Sequence, residues 1–129
     1  MTDKNYSDLI RMNLDLLVLS DLAQGPKYGY LIQQSLAGAT GGIVNLQAGT
    51  LYPLLHRLEA ERLIRSRWDE TTGRKRKWYE LTPAGQKRLH QQAHQWREYV
   101  DCVWRMLSPV LGGACNPVGG CEKMGLAPN

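Results

Sequence analysis

Four consecutive cations, Arg74-Lys75-Arg76-Lys77, stand just after Thr72-Gly73. The chemistry open to such a run is charge neutralisation. Lys and Arg that meet phosphates displace condensed counterions and hold a polyanion in register. Upstream lies Gly49-Thr50-Leu51-Tyr52-Pro53-Leu54-Leu55-His56-Arg57-Leu58-Glu59, where Thr50, Tyr52 and His56 are interleaved with apolar residues. Residues 56–77 hold eight Lys/Arg against four Asp/Glu, an excess equal to the +4 net charge of the whole chain. The remainder is therefore neutral. A basic face confined to one segment is the footprint of a polyanionic partner, although a charge run alone is also what a solvated surface looks like.

Other chemistries are poorly represented. His90 and His94 are four residues apart, but no third metal ligand lies near them, so a polar helix face is expected. Three cysteines, an odd number, argue against a disulfide scaffold and fit a reducing cytoplasm. Cys115 and Cys121 flank Asn116-Pro117-Val118-Gly119-Gly120 without the second pair that marks a zinc knuckle. A redox pair there is an alternative, although no neighbouring cation lowers a thiol pKa. There is no Ser/His/Asp or Cys/His arrangement, no phosphate-cradling glycine loop and no acid cluster in apolar surroundings. Neither an enzyme nor a bound cofactor or metal is expected. Asp15 and Asp21 interrupt the first long apolar stretch and no export signal is visible, so a cytoplasmic protein without a membrane span is expected.

The elements that must position these residues follow from periodicity. Leu9, Met12, Leu16, Leu19 and Ala23 recur at helical spacing, which predicts a first helix over about 7–23, stopped by Gly25-Pro26. A second helix is predicted over about 28–37, with Tyr28, Leu31, Ile32 and Leu36 inward, and a short strand within Ile43–Leu46. The third helix is predicted with Thr50 as its cap, so that Pro53 falls in the first turn where no hydrogen bond is lost. It runs to about Arg62 with Leu51, Leu54, Leu55 and Leu58 inward. Two strands, Ile64–Asp69 and Lys75–Leu81, flank a loop at Glu70–Arg74; Trp68, Trp78 and Tyr79 suit strands. Thr82 caps a fourth helix whose first residue is Pro83. Along it Leu89, Ala93, Trp96, Val100, Val103 and Leu107 alternate steps of four and three, a seam that packs along another helix. A second copy of the chain is the expected partner.

The fold class is thus mainly α with a small β-hairpin, a winged helix-turn-helix followed by a long C-terminal dimerisation helix. The expected divisions are residues 1–82, 83–109 and a glycine- and proline-containing flexible tail over 110–129. In this order of elements the third helix enters the DNA major groove and the hairpin tip follows the backbone. Gln47, Thr50, Tyr52 and His56 are the candidate contacts at the reading helix, with Gly49 allowing close approach to a phosphate. Lys27 and Tyr28 would touch the backbone from the start of the second helix, and Arg74, Lys75, Arg76 and Lys77 from the wing. For Tyr52 a phosphate contact is favoured over core packing; for His56 a base contact and a solvated side chain stay equally open.

The chain resembles the PadR family of transcriptional regulators, of the short type with one C-terminal helix. The resemblance is carried by Gly25-Pro26, Tyr28-Gly29-Tyr30, Gly49-Thr50-Leu51-Tyr52-Pro53, Arg57-Leu58-Glu59, Gly73-Arg74 through Lys77-Trp78-Tyr79, and Leu81-Thr82-Pro83-Ala84-Gly85, over roughly residues 9–107. The family often has His where Tyr28 stands and Ser-Pro where Gln47-Ala48 stand, so an operator sequence does not transfer. The resemblance implies a homodimer, joined through the first and last helices, on an inverted repeat of double-stranded DNA, usually as a repressor released by a ligand. Multidrug-responsive relatives line a pocket at the dimer axis with a tryptophan on the last helix, and Trp96 is similarly placed. Ala93, Val100, Met12 and Asp15 would complete a wall for a planar aromatic or phenolic effector. Plain core packing of Trp96, and a merely solvated Asp15, are the competing readings. A winged-helix protein-interaction adaptor is the rival function; it would not need four cations at the wing.

Overall fold

A computed structural model describes residues 7–71 and 73–112. Five helices and three strands follow in the order α1 Ser7–Met12, α2 Leu14–Leu22, β1 Lys27–Tyr28, α3 Gly29–Ala39, α4 Ala48–Ala60, β2 Ile64–Asp69, β3 Arg76–Leu81 and α5 Pro83–Leu107. The strands form one antiparallel sheet in the order β1-β3-β2. Compactness divides the chain between Leu89 and His90, so the first residues of α5 belong with the N-terminal unit. The expected tail, with Cys115 and Cys121, lies outside the described residues from 113 onward.

In the N-terminal unit each helix contributes the apolar stripe its spacing implies. Val18, Leu19 and Leu22 of α2 meet Ile32 and Leu36 of α3 and Leu51, Leu54, Leu55 and Leu58 of α4. The i, i+3, i+4, i+7 spacing in α4 puts its four leucines on one face. Ile64 and Tyr79 of the sheet close the core, with Leu63 beside them. Val44 and Leu46 are buried too, but as loop residues. The short strand expected there is instead Lys27–Tyr28, which pairs with Tyr79 and Trp78.

Three local expectations are corrected. The first helix breaks at Asn13, whose φ of −119° leaves the helical region. Its backbone N–H donates to the Ile10 carbonyl, while its side-chain amide takes the Leu9 carbonyl at 2.8 Å. Such side-chain competition for a backbone acceptor is what makes Asn a poor helix-interior residue. The helix α4 starts at Ala48 with Gln47 as cap, three residues earlier than a Thr50 cap would allow. Pro53 is therefore its sixth residue and removes the bond that would reach the Gly49 carbonyl. The same helix ends at Ala60 rather than Arg62.

That ending has a defined geometry. Arg62 takes φ 64°, its N–H donates to the Glu59 carbonyl at 2.9 Å, and the Leu63 N–H reaches the Leu58 carbonyl at 3.0 Å. This pair of bonds is the Schellman ending, in which the left-handed position is normally glycine. A side chain there costs about 1–2 kcal/mol. Arg62→Gly is expected to raise unfolding free energy by about 0.5–1 kcal/mol, because the relieved strain exceeds the added entropy of glycine. Urea unfolding measures this; a loss of stability would mean that the Arg62 side chain holds the turn.

The start of α5 follows its expected form. Thr82 Oγ1 accepts the Gly85 N–H at 3.0 Å and contacts the carbonyls of Arg62 and Leu63 at 2.8 and 3.0 Å. The Thr82 N–H donates to the Leu63 carbonyl at 3.1 Å. One threonine thus caps α5 and ties it to the turn that ends α4.

Candidate nucleic-acid interface

The wing is a two-stranded hairpin with Ile64 opposite Leu81 and Asp69 opposite Arg76. Gly73 takes φ 82° at its turn, a left-handed conformation that glycine adopts without steric cost. Asp69 accepts the Thr71 N–H at 2.9 Å, and that bond holds its carboxyl below the usual carboxylate range.

The helix α4 is attached to this hairpin by polar contacts as well as leucines. Ser66 Oγ of β2 donates to Glu59 at 2.6 Å, and Lys77 Nζ of β3 lies 4.0 Å from the same carboxylate. Glu59 therefore fixes the wing's angle to α4. Arg57 faces the other way. It pairs bidentately with Asp15 of α2 at 2.6 and 3.2 Å and also reaches Glu61 at 3.3 Å. The hydrogen bond with Asp15 raises the guanidinium pKa further. Tyr79 is buried at the root of the wing, and burial, with Glu59 and Tyr52 adding to it, pushes its phenol pKa up.

Between the outer face of α4 and the wing opens a groove of about 560 Å³. Tyr28, Tyr52 and His56 line it together with Trp68 and all four wing cations, Arg74, Lys75, Arg76 and Lys77. The cations are not equivalent. Arg74 and Lys75 are exposed, while Arg76 and Lys77 are half-buried. The Arg76 guanidinium sits 4.4 Å from the Tyr28 ring centroid, and Tyr28 meets Trp78 edge-to-face at 5.0 Å. The Tyr52 hydroxyl occupies the space a side chain at Gly29 would need, so a larger residue there would displace the Tyr52 ring.

Not every predicted contact gathers at this groove. Gln47, Gly49 and Thr50 are exposed at the start of α4, and Thr50 borders a separate hollow of about 240 Å³ with Ile10, Leu14 and Ile43. Lys27 is the clear departure. Its ammonium donates to the Asp21 carbonyl at 2.8 Å and pairs with the buried Asp21 carboxylate at 3.3 Å. Asp21 also accepts a hydrogen bond from Ser35 at 2.5 Å. A lysine so engaged pins β1 to α2 and is not free for a phosphate. Tyr28 ends β1 and is also the N-cap of α3, so the second helix begins where it was expected.

The comparisons with known proteins agree with this geometry. Residues 18–91 match the Transcriptional regulator PadR-like family. The chain belongs to the PadR family. A transcriptional regulator of Mycobacterium tuberculosis is 32% identical over 109 residues, covering 84% of this chain and 92% of the relative. Among solved structures, a transcriptional regulator from Clostridium thermocellum has a TM-score of 0.70 at 32% identity, covering 76% of this chain and 96% of that one. A PadR family transcriptional regulator from Eggerthella lenta has a TM-score of 0.70 at 39% identity, covering 78% and 87%. This PadR protein is accordingly a DNA-binding transcriptional regulator and not an enzyme.

The candidate effector residues of the PadR chain fall in both units. Met12, at 75% exposure, and Asp15 belong to the first. The Asp15 carboxylate is paired with Arg57 rather than merely solvated. Ala93 is exposed, Trp96 is 38% exposed and Val100 is half-buried on α5. His90 and His94 are exposed, and no group of three potential metal ligands occurs among the described residues. No helix among them is long and apolar enough to cross a membrane. Four residues that line the groove were not singled out as contacts by sequence: Gly29, Tyr30, Tyr79 and Trp68. The signal for Trp68 was its place in the two-residue alternation with Ile64 and Ser66.

Proposed function

We propose that α4 is inserted into the major groove, with Gln47, Thr50 and His56 toward base edges and Gly49 against a phosphate, while the wing follows the backbone. The observation that carries this reading is the groove in which the outer face of α4 and four successive cations converge. The start of α4 supports it further. Gln47 supplies no side-chain cap, and the start of a helix is a natural seat for a phosphate. The concentration of cations at the groove weighs against a protein-only adaptor.

The operator is an inverted repeat bound by a homodimer joined through the first and last helices. Supporting this, α5 runs for 25 residues and leaves Trp96 and Leu107 of its seam exposed. Two-fold symmetry then sets half-sites one DNA turn apart, roughly 34–36 Å. Sedimentation of the free chain together with footprinting on its own upstream DNA tests both parts. A monomer, or a single unrepeated footprint, would overturn them.

The regulator is a repressor released by a planar aromatic or phenolic effector that packs on Trp96 at the dimer axis. A partly exposed indole on the seam supports this, since aromatic rings give large contact area at defined geometry. Trp96→Ala is expected to weaken binding of such compounds by about 10-fold and to leave ligand-free DNA affinity unchanged. Tryptophan quenching and fluorescence anisotropy read the two quantities. Unaltered affinity for every compound that binds the wild type would remove Trp96 from the pocket.

A further inference from the structure

Strand alternation places Trp68 on the same hairpin face as Ile64 and Ser66. Ile64 is buried in the core and Ser66 is bonded to Glu59 of α4. Trp68 continues that face but remains 59% exposed. Its cross-strand partner is Lys77, whose Nζ lies 5.9 Å from the ring centroid. The Nζ of Lys75 lies 5.0 Å from the same centroid. Two ammonium groups are thus held over one indole by cation–π attraction, at the mouth of a groove whose other wall is Tyr52 and His56.

A single exposed ring is ordinary on a protein surface; what distinguishes this one is the pair of ammonium groups held over it beside the groove. Whatever covers this one must offer an apolar surface between two anions, because the ring is bracketed by cations. The sugar–phosphate chain has that alternation: a deoxyribose with a phosphate on either side. We propose that Trp68 is a DNA-backbone contact, its indole packed on a deoxyribose while Lys75 and Lys77 reach the flanking phosphates. The inference rests on the placement of DNA in the groove beside α4. It adds a sequence-independent aromatic clamp, distinct from the base-reading residues at the start of the helix. A sugar contact carries no base information, so its contribution is the same on every duplex.

The test compares the full chain with Trp68→Ala, Trp68→Thr and Trp68→Tyr on two duplexes, its own upstream DNA and a scrambled duplex of equal length. Trp68→Thr keeps strand propensity and guards against a folding artefact, which thermal unfolding of each variant also checks. Expected is a loss of about 10-fold in affinity for Ala and Thr on both duplexes, with most of it restored by Tyr. The ratio between duplexes and the salt dependence of Ala should match the wild type, because no charge is removed. Wild-type affinity in Ala and Thr would overturn the clamp alone. A loss confined to the upstream duplex would overturn it too, showing base reading instead. A wild-type chain that binds neither duplex would overturn the placement of DNA together with the clamp.

Discussion

Arg74→Gln with Lys75→Gln is expected to lower DNA affinity by about 100-fold near 0.1 M salt, with operator and scrambled duplex affected alike. These two are the exposed members of the Arg74–Lys77 run. Their neighbours are half-buried, with Arg76 against Tyr28 and Lys77 beside Glu59. Neutralising those would disturb packing more than removing the exposed Lys75, whose contact is with the exposed Trp68 ring. Each lost phosphate contact should remove about 0.9 from the slope of log K against log salt. The double variant therefore flattens the slope by about 2, while its thermal unfolding stays that of the wild type. Surface charges of this kind contribute little to stability, so a melting change would point to a structural role. An unchanged slope would mean that the wing does not meet phosphates.

Gly85→Ala should cost about 3 kcal/mol and lower Tm by roughly 10 °C or more. Helix propensity alone argues the opposite sign, since alanine is favoured over glycine by about 0.5–1 kcal/mol in a helix. Packing decides. A Cβ at Gly85 would run into the Leu63 carbonyl and come within 3.0 Å of Leu81 Cδ1. That carbonyl also accepts the Thr82 N–H and contacts the Thr82 hydroxyl, so it cannot turn away without breaking the cap of α5. Backbone gives less readily than a side chain. Thermal unfolding by circular dichroism measures the change, and a variant as stable as the wild type would show that α5 can lift off the turn at little expense.

Much of this architecture was legible in the chain because it rests on short-range chemistry. Thr82-Pro83 marks the start of α5, the leucine spacing marks the buried face of α4, and alternation marks β2 with the bounds that the hairpin has. The missed features depend on residues far apart. A two-residue strand at Lys27–Tyr28 has no periodicity, and it exists because Trp78 and Tyr79 lie beside it. Lys27 looked like a free cation until the turn at Gly25-Pro26 carried it back to Asp21. Thr50 has the side chain of a good cap, yet α4 is capped three residues earlier, at Gln47, and accepts Pro53 in its second turn. At the groove, Tyr28, Tyr52, His56 and the cations were legible from composition and order. Trp68 was not, because one strand's pattern does not tell where the cover provided by α4 ends.

The central claim is that the start of α4 and the wing form the DNA surface. Amide hydrogen exchange of the chain with and without its upstream duplex tests it most directly. Expected is slowed exchange over residues 47–52 and 73–78. Those segments hold the first turn of α4 and the wing turn, where exchange is ordinarily fast. Protection confined to other segments, with these two exchanging as in the free protein, would contradict it.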